Sequence, residues 1–467
     1  MIRVLLICRW FPPIQHSGTL RNEGFARYLP EFGIDVVVFT AKAKESDLAS
    51  GPCATAILSD WSDSASISRG QVIRATWDCS RAPRWLKRFP VLNTLAVRLE
   101  RRRLVDALFP EACEVVRTLR PDVIVSSFAP AETIYLGIAL GKKFGIPTIA
   151  DLRDPWSYAP AAPYRHMVDF LLERSEERRV LRQCTKVVVT CRFAARLLED
   201  QVRIPPEKIE VVENGYDEAD ADTAPLPRPL EPGKFVVVHL GELALQLPSN
   251  NLKKKIKTLL GFDYYPLRTD LTTRSPKWVL AALERMIRAD ASVKDVVRLW
   301  FVGVRQDRNY PILSQFPFPE CIRVIPRVSS REAFSIAASA DLLLLLQNSY
   351  FLNGRDYPVA IAAKTYTYIR AGRPILACLQ PSEMADLVRE YANAEIVPPR
   401  DIDAIEKALW RFLRVQRAQS ESLVNSSPRD LEQLSRRYSA RKLARIIEAV
   451  DEYDNCFVRP DTARCNY

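Results

Sequence analysis

The chain has 467 residues, about three times the usual length of one domain, so we expect two domains or one large composite. With 48% hydrophobic and 26% charged residues, its composition is close to that of globular proteins and excludes a disordered, collagen-like or coiled-coil chain. Lysines and arginines outnumber acidic residues by 67 to 56, giving a formal net charge of +11. This excess favours an anionic partner, whether nucleotide, nucleic acid or acidic lipid.

Ten cysteines occur without any C-x-x-C pair, which in a chain of this size predicts free thiols in a reducing compartment. Because there are only three histidines, His16, His166 and His239, we expect no zinc site. No segment approaches the roughly 20 apolar residues that a membrane span requires, and the first residues do not resemble a signal peptide. The sequence therefore predicts a cytoplasmic protein.

Apolar strands alternate with amphipathic helices in the first half of the chain. Residues 3–8 form an apolar run that ends before Pro12 and Pro13, as expected for a buried parallel strand. Apolar residues then recur at helical spacing until Phe32, and Gly33 follows where a left-handed residue ends a helix. Further strands are predicted at 35–39, 123–127, 148–151, 186–190 and 209–213, with helices at 131–143, 164–183 and 194–202.

The same alternation resumes after a segment with four prolines and many acids, residues 217–233, which predicts an exposed linker. Ser329 and Glu332 form a capping box at one of the later helix starts. Strands are predicted at 235–240, 298–302, 322–325, 341–346 and 375–379, with helices at 276–289, 329–338, 360–371 and 383–391.

This pattern predicts an α/β protein with two Rossmann-like doubly wound domains facing across a cleft. The N-terminal domain is expected to span residues 1–218, followed by a linker at 219–233 and a C-terminal domain at 234–429. Residues 430–467 are expected to form a C-terminal helix, which packs back on the N-terminal domain, and a tail.

Two stretches interrupt the alternation. Residues 41–80 are polar and mixed, which indicates an elaborated connection. Residues 245–273 are interpreted as an insertion in the second domain, with the basic run Lys253–Lys255 and the aromatic cluster Phe262–Tyr265.

Ligands of doubly wound sheets bind beyond the carboxyl ends of the strands, so residues that follow strands are the candidates for chemistry. Asp151–Ser157 provides two carboxylates, a guanidinium and an indole that suit sugar hydroxyls, or alternatively a salt-bridged turn. Asn214–Asp217 is equally consistent with a loop at the cleft and with a plain Asn-Gly turn. The segment from Arg274 to Lys277 lies at the start of a helix, where two cations and the helix dipole can bind a diphosphate, or where the basic helix start is simply solvated.

Seven sequence fragments occur in a set order along the chain: Phe11–Pro13 with Arg21, Arg120–Ile124, Ile149–Trp156, Val212–Asp217, Gly241–Leu243, Phe301–Gly303 and Lys364–Leu376. Together these fragments resemble the family 4 glycosyltransferases, whose two Rossmann-like domains make the glycosyltransferase-B fold and bind a nucleotide sugar. The likeness runs from residue 1 to about residue 450, except for 41–80 and the insertion. The ordered set of fragments is far more specific than any one of them.

The resemblance implies that the second domain binds the donor and that the first domain receives the acceptor. The implied activity is a retaining transfer of a sugar to a polysaccharide or lipid-linked glycan, with the nucleotide-diphosphate sugar as co-substrate and with no further cofactor or metal. The predicted catalytic residues are Asp154, His16, Arg274 and Lys277. The predicted donor-binding residues are Gly18, Gly241, Arg274, Lys277, Arg327, Val328, Lys364 and Thr367.

Two positions depart from the family pattern. Thr367 stands where the family carries a glutamate that binds the ribose, and Val359 stands at an earlier acidic position, with Asp356 nearby. These differences leave open a catalytically degenerate binding or scaffold protein. A nucleotide-sugar epimerase on the same fold is the second alternative.

Residues 81–103 contain eight lysines and arginines against the single acid Glu100, interleaved with large apolar residues. This mixture suits an interfacial helix on an acidic inner membrane surface, where lipid-linked acceptors are found. The alternative is a solvated basic face over a core stripe. No zinc finger or RNP-type motif accompanies the charge, so nucleic acid is not expected as a partner.

Overall fold

The computed structural model describes ten stretches of the chain. The predicted features that lie outside the described residues are His16, residues 44–70 and 79–80 of the connection at 41–80, residues 81–88 and 90 of the basic stretch at 81–103, residues 219–229 of the linker, residues 245–261 of the insertion, and residues 430 and 458–467 of the C-terminal segment. The described stretches are 1–14, 18–43, 71–78, 89, 91–159, 164–218, 230–244, 262–304, 311–417 and 431–457.

The chain forms two units, each with its own parallel sheet. The first holds the described residues of 1–214 together with 262–266 and 436–457, and the second holds those of 215–244 and 267–435. These ranges differ from the predicted domains in one main respect. Residues 262–266, which the sequence assigns to the insertion of the second domain, lie in the first unit, because their strand pairs with a strand of that unit.

The first unit contains a seven-stranded parallel sheet in the order β3-β2-β1-β4-β5-β7-β8. Strand order reverses between β1 and β4, so the carboxyl ends of these two strands mark the topological switch point. The strands of this sheet are β1 (Ile2–Ile7), β2 (Ile34–Ala41), β3 (Gln71–Ala75), β4 (Val123–Phe128), β5 (Thr148–Leu152), β7 (Lys186–Val189) and β8 (Ile209–Val211). A further strand, β6 (Tyr164–His166), lies outside this sheet and pairs antiparallel with β10 (Phe262–Tyr264).

Helices cover both faces of this sheet. The C-terminal helix packs on the first unit through Leu443, Ile447 and Val450, which share an apolar cluster with Val4 and Leu6 of β1. The helices of the first unit are α1 (Thr19–Tyr28), α2 (Leu92–Leu119), α3 (Glu132–Phe144), α4 (Met167–Leu181), α5 (Arg192–Leu197) and, from the end of the described chain, α13 (Arg436–Phe457).

The second unit contains a six-stranded parallel sheet in the order β13-β12-β9-β14-β17-β18. Numbered along this unit alone, the order is 3-2-1-4-5-6, the Rossmann arrangement with its switch point between β9 and β14. The strands of this sheet are β9 (Phe235–Leu240), β12 (Val297–Val302), β13 (Ile322–Ile325), β14 (Leu342–Leu346), β17 (Ile375–Cys378) and β18 (Ala394–Val397). A small antiparallel sheet is formed by β11 (Arg268–Asp270), β15 (Ser349–Leu352) and β16 (Arg355–Asp356).

Apolar helix faces close both sides of this second sheet. The capping box predicted at Ser329 is present in part, since its hydroxyl accepts a hydrogen bond from the Glu332 N–H at 3.1 Å. The helices are α6 (Lys277–Ala289), α7 (Val293–Val296), α8 (Pro311–Ser314), α9 (Ser330–Ser339), α10 (Ala363–Ala371), α11 (Glu383–Tyr391) and α12 (Ile402–Arg417).

The predicted α/β class and the doubly wound sheets are confirmed. Several elements escaped the sequence analysis: β3 at the sheet edge, the full length of α2, the short strands β15 and β16, and the final pair β18 and α12. The predicted helix at 164–183 is wrong at its start, because residues 164–166 form β6.

Candidate functional site

Buried polar groups lie at the switch point of the second sheet. His239, on β9, is fully buried, and its Nδ1 lies 2.9 Å from the carbonyl oxygen of Leu344 on β14. Its Nε2 lies 3.3 Å from Nζ of Lys364, near the start of α10, and this ammonium also donates to the Leu240 carbonyl at 3.2 Å. Burial and then the Lys364 charge lower the pKa of His239 well below its ordinary value, so its imidazole is neutral.

Arg274 adds a second cation beside Lys364. Burial, and next the charge of Arg274, lower the pKa of Lys364 well below its ordinary value. The Arg274 guanidinium is oriented by its Nε, which donates to the Glu242 carbonyl at 2.8 Å. Two basic side chains that contact the Glu242 and Leu240 carbonyls, at the carboxyl end of a parallel strand, are suited to bind an anion.

Hydrogen bonds fix the turn that carries Arg274. Arg274 ends a single 3₁₀ turn, Leu271–Arg274, whose start is capped by Asp270 accepting from the Thr272 N–H at 3.0 Å. Thr273 Oγ1 donates to the Gln347 carbonyl at 2.9 Å and accepts from the Ser349 N–H at 2.8 Å. The turn is therefore tied to the segment that leaves β14, one side of the switch point.

Of the predicted donor-binding residues, Gly241 also lies at this switch point, directly after β9. Its φ of +93° is in the range that favours glycine, and its N–H donates to the Val302 carbonyl at 2.7 Å. Lys277 begins α6 as an exposed residue, with its ammonium 4.8 Å from the centroid of the Trp278 ring. The structure thus brings Arg274 and Lys364 together and places the Lys277 ammonium over an indole.

The remaining predicted donor residues lie on three different elements. Arg327 is exposed and Val328 packs on the apolar core, both between β13 and α9. Thr367 is partly exposed on α10, one turn after Lys364, while Gly18 lies at the start of α1 in the first unit.

The positions that depart from the family pattern differ in burial. Val359 is 1% exposed, whereas Asp356 is exposed in β16. Next to Val359 is a small pocket in which Asn348 Oδ1 is buried without a hydrogen-bond partner among the described residues. The pocket is lined by Gln347, Asn348, Tyr350, Pro358, Ala360, Leu379, Gln380, Ser382 and Met384.

In the first unit, the fragment Asp151–Ser157 is used mainly for internal contacts. Asp151 is fully buried and forms an ion pair with Arg21, whose Nη2 lies 2.7 Å from Oδ1. Arg21 also donates through Nη1 to the Asn214 side chain at 3.2 Å. Asp154, predicted as catalytic, is half-exposed and pairs with its neighbour Arg153 at 2.9 Å, the salt-bridged turn considered as the alternative above.

Trp156 and Ser157 are also directed inward, towards α4. The Trp156 indole N–H donates to Glu173 at 2.6 Å, and its ring stacks with Phe128 at a centroid distance of 5.6 Å. The Ser157 N–H donates to Glu177 Oε2 at 3.1 Å, and the Ser157 hydroxyl donates to the same oxygen. The Trp156 side chain is 4% exposed, so it is part of the interior of the first unit.

Glu177 gives the first unit a pH-dependent stability. Burial raises the pKa of Glu177 from 4.5 to about 7, so the folded state binds a proton more tightly than the unfolded state. The stability that this proton supplies is fully present below about pH 4.5 and is lost as the pH rises to about 7. We expect Glu177→Gln to remove this loss, which amounts to roughly 3 kcal/mol in the free energy of unfolding, as measured by urea unfolding between about pH 4 and pH 8.

Glu176→Gln is the matched control for this prediction. Burial acts to raise the pKa of Glu176, but hydrogen bonds from Arg179 and Tyr135 and nearby positive charges outweigh it, so its pKa is lowered. This variant should therefore change the pH dependence with the opposite sign. Parallel stability curves for the wild type and Glu177→Gln would contradict the assignment.

Sequence reasoning missed His239 and Glu177 as site and network residues. His239 had a usable signal, since it interrupts the apolar strand Phe235–Leu240. Among the described residues, no group of three or more His, Cys, Asp or Glu side chains is arranged to hold a metal ion. The helices in the described part of the chain also include none with the length and apolar character needed to cross a membrane.

Comparisons with known proteins agree with this architecture. Residues 20–215 match the family model described as a glycosyl transferase 4-like domain. No curated protein is significantly similar to the chain in sequence.

Similar solved structures span nearly the whole chain at low identity, and this likeness concerns the fold. A glycosyltransferase from Rickettsia africae ESF-5 has a TM-score of 0.54 at 12% identity, covering 98% of this chain and 99% of that one. Sucrose-phosphate synthase from Thermosynechococcus elongatus gives the same values. UDP-GlcNAc 2-epimerase from Neisseria meningitidis, bound to UDP-GlcNAc, has a TM-score of 0.50 at 9% identity, with 96% and 99% coverage.

The ordered sequence fragments, the two Rossmann-type sheets and the family match over the first unit agree with one another. Residues 20–215 therefore resemble a glycosyl transferase 4-like domain, and the fold of the whole chain is similar to that of a solved glycosyltransferase and a sucrose-phosphate synthase.

Proposed function

We propose that this protein is a retaining glycosyltransferase that moves a sugar from a nucleotide-sugar donor to a polysaccharide or lipid-linked glycan acceptor. The observation that carries the proposal is that Arg274 Nε and Lys364 Nζ donate to the carbonyls of Glu242 and Leu240, at the carboxyl end of β9 beside the switch point of the second sheet. This is where doubly wound sheets bind their ligands. The Neisseria epimerase of similar fold, whose structure holds UDP-GlcNAc, supports a nucleotide sugar as the ligand.

The chemistry of glycosyl transfer matches these residues. Cleavage of the anomeric bond builds negative charge on the leaving diphosphate, so cations already positioned there stabilise the transition state more than the ground state. Arg274 is oriented by the Glu242 carbonyl and Lys364 by the Leu240 carbonyl and neutral His239. We assign both cations to the diphosphate, with Lys277 at the start of α6 as a further contact.

Other assignments follow from the resemblance and are part of the proposal. Arg327 and Val328 lie against the base, and Thr367 hydrogen-bonds the ribose. Asp154 and His16 contact the donor sugar or the acceptor near the reacting centre. Gly18, at a helix start, and Gly241, at a strand exit, allow the ligand to approach the backbone closely.

A binding protein without turnover is the second candidate, and buried Val359 is the observation that favours it. Val359 offers no carboxylate to the sugar, and its 1% exposure shows that the side chain belongs to the protein interior. Asp356 on β16 lies three residues earlier and is exposed, so it is the acid to examine if turnover is found.

Binding of uridine and guanosine diphosphates tests the proposal directly. At a ligand concentration of about one hundred times Kd, we expect one of them to raise Tm by roughly 5 °C or more. A bound anion stabilises the charged form of Lys364 and so raises its lowered pKa. At a pH above the pKa that Lys364 has in the free protein, ligand binding should therefore be accompanied by proton uptake. Calorimetry in buffers of different ionisation enthalpy measures this uptake. Lys364→Met should abolish the uptake.

The possible results distinguish the candidates. Stabilisation with slow donor hydrolysis supports the transferase, whereas stabilisation without any hydrolysis supports the binding protein. Conversion of the donor sugar to its epimer without an acceptor would favour the epimerase. If neither diphosphate stabilises the chain and no proton is taken up, the donor-site assignment is wrong.

A further inference from the structure

Exposed apolar side chains are concentrated on one region of the first unit. Of the twelve large apolar residues that are exposed in the described chain, nine lie on or beside α2, α4 and β10. They are Phe89, Val91, Leu92, Leu95, Leu99, Met167, Leu171, Phe262 and Tyr265. We call these nine residues the apolar tip.

Direct contacts hold the elements of the apolar tip together. Asp169, in the first turn of α4, accepts hydrogen bonds from the Val91 N–H at 2.8 Å and from Thr94 Oγ1 at 2.6 Å, at the start of α2. One turn further along, Arg98 of α2 donates to the Leu172 carbonyl of α4 at 2.8 Å. The two helices therefore run side by side in the same direction and begin at the same level.

Strand β10 completes this region beside the start of α4. The Phe262 ring lies edge-on to the His166 ring at a centroid distance of 5.1 Å. His166 in turn caps α4, since its Nδ1 accepts from the Val168 N–H at 3.1 Å. Phe262 is thus joined to the same helix end that exposes Met167 and Leu171.

Arginines follow the apolar residues on the same faces of both helices. On α2, Arg102 comes three residues after Leu99 and seven after Leu95, and its side chain is 82% exposed. On α4, Arg174 and exposed Arg178 follow Leu171 by three and seven residues. Residues at these spacings share a helix face. Each helix therefore exposes apolar side chains in its first turns and arginines about one turn, some 5.4 Å, further along.

This layering matches the surface of an anionic bilayer. Apolar side chains at an interface enter the boundary between headgroups and acyl chains, while arginines a turn away reach phosphate groups and extend their long side chains towards them. We propose that the apolar tip, with Arg102, Arg174 and Arg178, docks the protein on a membrane that contains anionic lipids.

Docking goes beyond the proposed transfer reaction and involves a different part of the chain. The donor cations Arg274 and Lys364 belong to the second unit, whereas the apolar tip belongs to the first. Vesicle binding needs no nucleotide, and diphosphate binding needs no vesicle, so the failure of one proposal is distinguishable from the failure of the other. Docking would bring the protein to the membrane surface at which a lipid-linked acceptor of the proposed reaction is found.

Sedimentation of the full-length chain with vesicles tests the docking. We expect binding to vesicles of equal parts phosphatidylglycerol and phosphatidylcholine, little binding to phosphatidylcholine alone, and weaker binding when the ionic strength rises from about 0.1 M to about 0.5 M.

The double variant Leu95→Gln/Leu171→Gln should lower the partition coefficient for the anionic vesicles by about tenfold or more. The variant Arg102→Gln/Arg178→Gln should remove most of the preference for the anionic vesicles.

Val324→Gln is the matched control, because Val324 is an exposed apolar residue on β13 of the second unit. It should bind vesicles like the wild type, and all variants should keep the wild-type Tm and diphosphate-induced shift. The proposal is overturned if the wild type does not bind anionic vesicles, or if the Leu95/Leu171 variant binds them equally well. It is also overturned if these leucines instead mediate dimers in solution, detected as a loss of mass by light scattering in the variant.

Discussion

Replacing Arg274 by alanine is expected to lower kcat/KM for the sugar donor by about 10²–10³-fold, as removal of a preorganised group that stabilises developing charge does in other enzymes. The guanidinium is already oriented by the Glu242 carbonyl and lies close enough to Lys364 to lower the pKa of that ammonium. Its loss removes half of the cationic pair on which the proposed mechanism depends. Steady-state rates of donor consumption with and without an acceptor measure the effect.

Arg288→Ala provides the comparison for this variant. Arg288 lies at the other end of α6 from Lys277, mostly exposed, and pairs with Glu284 one turn away, so its loss should leave the rate unchanged. Arg274→Lys should recover part of the activity, because it restores a charge without the oriented guanidinium. A rate for Arg274→Ala equal to that of the wild type, in a protein with wild-type Tm, would remove Arg274 from the mechanism.

The largest expected effect on stability comes from the ion pair Arg21–Asp151. Asp151 is completely buried and Arg21 nearly so, and two guanidinium nitrogens contact the carboxylate at 2.7 to 3.1 Å. Arg21→Met would leave the carboxylate buried without its partner. We expect the free energy of unfolding of the first unit to fall by about 3–5 kcal/mol, measured by chemical denaturation.

The double variant Arg21→Met/Asp151→Leu separates the cost of an unpaired charge from the value of the pair. Replacing both partners by apolar groups is expected to restore most of the lost stability. The exposed pair Arg117–Glu114 on α2 serves as the control, and Arg117→Ala should cost less than about 1 kcal/mol. Equal losses at the buried and the exposed pair would contradict this account.

The sequence predicts the fold well because burial on both faces leaves a clear pattern. Strand β14 reads as five consecutive leucines, and Gly33 ends the helical segment before β2 with a φ of +78°. Strand β3 lies at the edge of its sheet after a long polar stretch, and the pattern of residues 41–80 therefore did not indicate it. Strand β6 has only three residues, too few for a period to be recognised.

The candidate site is less predictable, because it depends on residues that are distant in sequence. The sequence predicts both Arg274 and Lys364 as donor-binding residues, but ninety positions separate them, and no spacing rule shows that the charge of one lowers the pKa of the other. A polar fragment after a strand is also consistent with both a ligand site and a set of internal polar contacts, and only the packing of its side chains distinguishes the two. Asp151 and Trp156 have the composition of a sugar site, yet both are used to hold the first unit together.

The antiparallel pairing of β10 with β6, together with the packing of α13 on α1, affects how the protein is made. Residues 262–266 and 436–457 emerge from the ribosome long after residue 214, the last residue of the N-terminal stretch of the first unit. Until they are translated, Val4, Leu6 and their neighbours lack the apolar partners that α13 supplies. Completion of the first unit therefore waits until α13 has been translated, and a nascent chain arrested before that point leaves the apolar face that α13 covers exposed.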